Sequence, residues 1–254
     1  DFTPDGGGVL FKSDRAVSIR WMPALWTVPV AGGTPAVLAD DLLTAMGTAI
    51  THRGPDDDGL YRSDCGRVGF TFRRLSIIDL EASRQPMVSA DGGTMLTYNG
   101  ELYNYRELRS ELEGMGYAFF SDGDTEVLLK AYHAWGGDAV KRLNGMFAFC
   151  VWDERTRTLT LGRDRTGEKP MFYTWNGGEL VFASEMRAIL AHPDAPRAVD
   201  PVALRRYLQH EYFPAPLSPI AGIRKLPAGH VLTVRDGHLD IRCYWDLADY
   251  FDQP

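Results

Sequence analysis

The sequence predicts an α+β fold in which sheets are covered by helices, and three observations carry that expectation. Short apolar or aromatic runs with strand character come in groups rather than in strict alternation with helices, which argues against a doubly wound parallel sheet. Other stretches repeat their apolar residues at helical spacing. The 254 residues, 44% hydrophobic and 24% charged, suffice for one large or two small soluble globular units.

Along the chain, residues 1–19 hold the triplet Gly6–Gly8 and no sustained periodicity, so they read as a flexible arm. A turn at Ala31-Gly32-Gly33 leads to Val37–Ile50, where Val37, Leu38, Leu42, Leu43, Met46 and Ile50 define an amphipathic helix. A polar loop is expected at His52–Gly59, then strands near Arg67–Phe72, Leu75–Ile78 and Thr94–Tyr98. Helices follow at Tyr105–Met115, closed by Gly116, and at Glu126–Trp135, ended by Gly136-Gly137. From Met146 to Ser184 four short runs separated by turn residues read as an antiparallel meander. Two helices, Glu185–Ala191 and Pro201–His210, precede a hairpin over His230–Trp245 with Asp236-Gly237 at its turn.

Composition and generic motifs exclude several classes of function. A net charge of −7 and a pI near 5.4 disfavour polyanion binding, so no nucleic-acid partner is expected. Three distant cysteines, Cys65, Cys150 and Cys243, build neither a disulfide framework nor a CxxC metal site. No apolar run of about 18 residues occurs, and the charged first twenty residues do not resemble a signal peptide, so the chain reads as cytoplasmic with no membrane partner. The six histidines never fall at the i, i+4 spacing of a helical zinc pair. Asp56-Asp57-Asp58-Gly59 lacks the alternation of a calcium loop, and the Gly6–Gly8 triplet opens no strand–helix nucleotide unit. No metal or cofactor is expected.

What remains is a set of polar residues beside the apolar runs: Arg74, then Asn99-Gly100-Glu101, then Asp122-Gly123-Asp124. Each has a plain structural reading: Arg74 as a surface ion-pair partner, Asn99-Gly100 as a hairpin turn, Asp124 as a helix N-cap. On spacing alone the plain readings are favoured. Taken together, the same residues supply a cation, anions and an amide pair able to polarise a carbonyl, the set needed to hold a zwitterionic amino acid.

The order of the words is more specific. HRGPDDDG at His52, RRLSIIDL at Arg73, YNGELYNY at Tyr98, SDGDTEVLL at Ser121, LNGMFAFCVWD at Leu143, GRDRTGEKPMFY at Gly162 and LVFASE at Leu180 closely resemble the glutaminase domain of asparagine synthetases. That domain is a class II glutamine amidotransferase with the N-terminal-nucleophile hydrolase fold, and the resemblance runs from about Leu25 to Asp246. It implies a four-layer sandwich, two antiparallel sheets packed between helical layers. It also implies that an N-terminal cysteine attacks the glutamine side-chain amide while its free α-amine shuttles the proton. Carried over residue by residue, it puts the substrate carboxylate on Arg74 with backbone contacts from Ile77 and Ile78. Asn99 and the Gly100 amide become oxyanion donors, and Glu101 and Asp124 hold the α-amino group.

The nucleophile departs from the pattern. Counting back from Leu25-Trp26 places Arg20 where the family's cysteine belongs, behind nineteen further residues. A guanidinium stays protonated and is neither nucleophile nor base; there it could occupy the substrate's place or pair with an acid such as Asp124. Phe72 is a further departure, standing where the family often has histidine. The expected organisation is an arm at 1–19, an amidotransferase-like domain at 20–196 and an extension at 197–254 that leads toward a synthetase domain. The expected function is a degenerate glutaminase module that supports an ATP-dependent amide-forming partner domain, since no SGGxDS-type phosphate loop occurs in these residues. The alternatives are an active amidotransferase with a different true start and an amino-acid-binding or interaction module. Expected partners are glutamine or a similar amino acid and the synthetase domain, with a homodimer left open.

Overall fold

A computed structural model describes residues 24–29, 40–55, 57–63, 66, 68–74 and 85–251; for 24–29 and 74 it describes the backbone alone. The chain order is β1 (Ala24–Pro29), α1 (Asp40–Thr48), β2 (Asp57–Arg62), β3 (Gly69–Arg74), β4 (Met87–Val88) and β5 (Thr94–Leu102). Next come α2 (Tyr105–Gly114), α3 (Asp124–Trp135), β6 (Gly145–Asp153), β7 (Thr158–Arg163), β8 (Phe172–Trp175) and β9 (Glu179–Ala183). The remainder holds α4 (Met186–Leu190), α5 (Pro201–His210), β10 (Ile223–Lys225), β11 (His230–Arg235) and β12 (His238–Cys243).

The strands form two six-stranded sheets, ordered β10-β8-β9-β1-β3-β2 and β12-β11-β7-β6-β5-β4. Every strand pairing within them is antiparallel. Alternation of side chains along the strands divides the apolar residues among three cores. Phe70, Phe182 and Tyr173 of the first sheet meet Cys150, Trp152 and Leu161 of the second between the sheets. On the outer face of the second sheet, Phe147, Phe149 and Val151 pack against Leu108 and Leu112 of α2 and Val127 and Leu128 of α3. On the outer face of the first, Val181 and Ala183 pack against Met46 of α1 and Ile189 of α4. The layers are therefore helix, sheet, sheet, helix: the expected α+β four-layer sandwich. Burying a Leu- or Phe-sized side chain contributes about 1.5–3 kcal/mol, so three cores give this architecture its main driving force.

Local chemistry accounts for several element ends. Asp200 caps α5 by accepting from the amides of Val202 (2.8 Å) and Ala203 (3.0 Å), and Pro201 occupies the first turn. Gly136 closes α3 at φ +57°, a conformation that favours glycine. Asp236 (φ +51°) and Gly237 (φ +76°) turn the β11–β12 hairpin, as their sequence predicts.

Four expectations need correction. The loop at His52–Gly59 is a 3-10 turn, Thr51–Arg53, followed by the start of β2 at Asp57. As a largely exposed edge strand, β2 needs no apolar alternation, so its Asp-rich sequence hides it. The meander of four strands is two hairpins in different sheets: β6–β7 in the second and β8–β9 in the first. Asn99-Gly100 is not a hairpin turn but lies inside β5, whose ladder with β6 runs on from Asn99↔Ala148 to Leu102↔Gly145. Asp124 is not the N-cap of α3; Gly123 holds that position, without a side-chain cap. The strand at Leu75–Ile78, the turn at Ala31-Gly32-Gly33, Cys65 and the arm at 1–19 lie outside the described residues.

Candidate functional site

The site is built where the end of β5 meets the start of α3. Along β5, Tyr98 and Leu102 face the helices, while Asn99 shares a face with Met95, turned toward the other sheet. Gly100 lies between them. A Cβ there would stand 2.8 Å from Phe147 Cα and 2.9 Å from Tyr98 Cε2, and would collide with the Met146 carbonyl. Strand β6 approaches so closely that only glycine fits.

Asp124 reaches back from α3 to this strand. Its Oδ2 accepts from the Leu102 amide at 2.9 Å and from the Tyr98 hydroxyl at 2.8 Å. Burial raises the pKa of its carboxyl, the two hydrogen bonds oppose that rise, and the neighbouring Glu101 carboxylate adds to it. Glu101 itself is exposed, at the same end of β5. Two carboxylates this close favour a cationic ligand, which relieves their repulsion. Turned toward the other sheet, Asn99 is 1% exposed, yet among the described residues neither its Nδ2 nor its Oδ1 has a hydrogen-bond partner. An unpaired buried polar group costs about 1–3 kcal/mol, so this amide keeps unused donor and acceptor capacity among the described residues.

Supporting residues hold the neighbouring backbone. Fully buried Asp164 accepts from the amides of Phe147 (3.2 Å), Thr166 (3.1 Å), Glu168 (2.9 Å) and Lys169 (3.0 Å). Phe147 is the register partner of Gly100, so Asp164 pins β6 against the site while turning the chain from one sheet to the other. Glu126 is also fully buried and accepts from the Phe120 amide (3.1 Å) and from the amide and hydroxyl of Ser121 (2.7 Å each), fixing the loop into α3. Lys130 pairs with it at 2.7 Å. Buried Lys169 has its pKa lowered by burial and by Arg53, against the pull of Asp164, Glu168 and Glu101.

Of the residues singled out from sequence, Asn99, Gly100 and Glu101 follow one another in β5, and Asp124 meets the helix-facing side of that strand through Tyr98 and Leu102, with Glu101 acting on its charge. Arg74 closes β3 opposite Asp57, with its side chain outside the described residues, as are Arg20, Ile77 and Ile78 entirely. Phe72 packs in the core between the sheets at 2% exposure. Tyr98, Asp164 and Glu126 were not singled out from sequence, although each lies within one of the matching words. A tyrosine in an apolar run and an Asp before a Thr-Gly turn carry ordinary packing and turn readings, and only burial shows their partners. Among the described residues no cluster of three or more His, Cys, Asp or Glu could hold a metal ion, and no helix is long and apolar enough to cross a membrane. A cavity of about 400 Å³ lined by Pro201, Val202, Arg205, Arg206 and Gln209 lies on exposed α5 and includes none of the site's residues.

Two six-stranded antiparallel sheets packed between helical layers define the class, an α+β four-layer sandwich. The glutamine amidotransferase domain model matches residues 30–245, and the chain belongs to this family, as a class II domain of the asparagine synthetase-like kind. It is 40% identical over 208 residues to "Asparagine synthetase [glutamine-hydrolyzing] 1" of Bacillus subtilis, covering 81% of this chain and 32% of that protein. It is 42% identical over 215 residues to the same organism's "Asparagine synthetase [glutamine-hydrolyzing] 3", covering 82% and 35%. The chain thus spans about a third of the length of these curated relatives. Among solved structures, glutamine phosphoribosylpyrophosphate amidotransferase of B. subtilis matches with a TM-score of 0.60 at 20% identity, over 87% of this chain and 49% of that one. A second, described as the allosteric regulatory enzyme of purine biosynthesis, matches at 0.63 and 19%, with the same coverage. At such identities these two establish the N-terminal-nucleophile hydrolase fold.

Proposed function

We propose that this chain is a glutaminase-type domain that keeps the pocket for glutamine, lacks the nucleophile that would cut it, and acts beside an ATP-dependent amide-forming synthetase domain. In this reading Asp124 and Glu101 take the α-ammonium, Arg74 the α-carboxylate with backbone help from Ile77 and Ile78, and Asn99 with the Gly100 amide the side-chain carbonyl. The observation that carries it is the Asn99 amide, buried and without a partner among the described residues, next to Gly100 in the same strand. The family's word pattern puts Arg20 at the nucleophile position. The described cysteines do not replace it. Cys150 lies in the core between the sheets, where burial pushes its thiol pKa up, and Cys243 is on edge strand β12, four strands from β5. The amide-forming step falls to a synthetase domain because residues 1–254 contain no phosphate loop of that type. The domain reading is 1–19 as an arm, 20–196 as the amidotransferase-like body and 197–254 as the part leading toward the synthetase.

The test is glutamate release from glutamine by the purified chain, together with calorimetry. Binding without turnover is expected. Robust turnover that disappears in Arg74→Ala would overturn the degenerate reading, as would a covalent adduct with the glutamine mimic diazo-oxo-norleucine.

One observation favours a second reading, an active glutaminase whose mature start differs from this numbering. A non-catalytic domain has no evident use for both oxyanion donors, and an unpaired buried Asn99 amide costs stability. Mass spectrometry of the native N-terminus decides: a cysteine terminus supports it, and an intact Asp1 refutes it.

A further inference from the structure

The proposed clamp leaves one question of orientation, namely which oxygen of Asp124 meets the ligand. Both hydrogen bonds that other described residues make to this carboxylate fall on Oδ2, from the Leu102 amide at 2.9 Å and the Tyr98 hydroxyl at 2.8 Å, and Asp124's own amide donates to the carboxylate as well. Among the described residues, no other residue hydrogen-bonds Oδ1. Tyr98 is 1% exposed, and burial and the Asp124 charge push its phenol pKa far up, so its single proton stays in place and is donated to Asp124. Its backbone is held independently, the amide donating to Gln85 Oε1 at 2.7 Å. The ring reaches Asp124 by lying against Gly100, where a Cβ would stand 2.9 Å from Tyr98 Cε2. In the Tyr-Asn-Gly word, then, the missing side chain at Gly100 leaves the space that Tyr98 uses, while Asn99 points to the other face of the sheet.

We propose that Tyr98 is the positioning residue of the amino-acid clamp: with the Leu102 amide, its hydroxyl fixes Oδ2 of Asp124 and leaves Oδ1 to face the ligand's ammonium. This rests on the proposed glutamine-binding reading but goes beyond the roles that the family's words assign. The charged or titratable groups of the described residues that face Asp124 are Tyr98 and Glu101, both on β5. A hydroxyl bonded to the ionised carboxylate stabilises that form, so its removal leaves Asp124 harder to ionise and free to rotate.

The test is Tyr98→Phe, which keeps the buried ring. Tyr132→Phe serves as the control: it removes a similarly buried hydroxyl, bonded to Thr160 Oγ1 at 2.8 Å, about 12 Å further along α3. Carboxyl carbon NMR on the ligand-free chain should show the Asp124 titration midpoint moving up in Tyr98→Phe and staying put in Tyr132→Phe. Calorimetry with glutamine should show about tenfold weaker binding in Tyr98→Phe, the effect of losing one hydrogen bond to a charged group. That loss should deepen as the pH falls. An unmoved Asp124 midpoint, or equal shifts in both variants, overturns the proposal. If the wild type gives no heat with glutamine, the amino-acid reading fails instead, and the ligand-free titration alone decides whether Tyr98 governs Asp124.

Discussion

Replacing Glu126 by Ala tests whether the start of α3, and with it Asp124, is held by one buried carboxylate. The side chain has no exposed surface, and its oxygens accept from the Phe120 and Ser121 amides, the Ser121 hydroxyl and the Lys130 ammonium. Alanine removes every one of these acceptors and leaves three donors unpaired, while the Lys130 ammonium keeps the Ala118 carbonyl and the Phe119 ring. Breaking a buried pair by removing one member costs about 3–5 kcal/mol, and hydrogen bonds to charged groups contribute about 1.5–3 kcal/mol each without adding up fully. A loss of about 3–5 kcal/mol is expected, a large share of the roughly 5–15 kcal/mol that stabilises a typical domain. Urea unfolding followed by tryptophan fluorescence measures it, with Glu126→Gln alongside. The carboxyl also sets an acid limb. Burial pushes its pKa up, but the bonds from Lys130, Ser121 and Phe120 outweigh burial and hold it below the ordinary value. Its contribution is therefore complete above the unfolded-state carboxylate pKa and is lost as the pH falls through the lower folded value. Glu126→Gln should flatten that limb. A loss below about 1 kcal/mol in Glu126→Ala would refute the idea that this carboxylate organises the loop.

Further outcomes follow from the same geometry. Asp124→Asn should raise the urea midpoint at neutral pH, because the folded-state pKa of this carboxyl is raised and its ionised form destabilises the fold there; the gain should vanish in acid, and glutamine binding should be lost. An unchanged or lower midpoint at neutral pH would contradict the buried-charge account. Gly100→Ala should destabilise by about 1–3 kcal/mol or prevent folding, since Phe147 Cα and the Tyr98 ring occupy the space of the new methyl group; a wild-type midpoint would show that β5 and β6 can separate at no cost. Gly237→Ala should cost about 1–2 kcal/mol through its left-handed turn conformation and leave glutamine binding untouched, because β12 lies at the far edge of the sheet; altered affinity would argue against so local an effect.

Sequence alone determined the local grammar. The helix at Pro201–His210 was legible to the residue from its helical pattern, and the Asp236-Gly237 hairpin because its turn needs positive φ. The ordered words identified the family, and with it the sandwich. Tertiary structure decided what local pattern cannot carry. Two-residue periodicity marks a strand but not its sheet, so β7 and β8 looked continuous until the Asp164 turn sent them to different layers. The Asn99-Gly100 pair signals a turn unless a neighbouring strand extends the ladder past it, as β6 does. Asp124 reads as a cap until a buried tyrosine and a strand amide, 26 and 22 residues away, claim its oxygen. Periodicity and capping act over a few residues and are written locally, whereas the partners of a buried polar group are distant in sequence and are chosen only when the layers close.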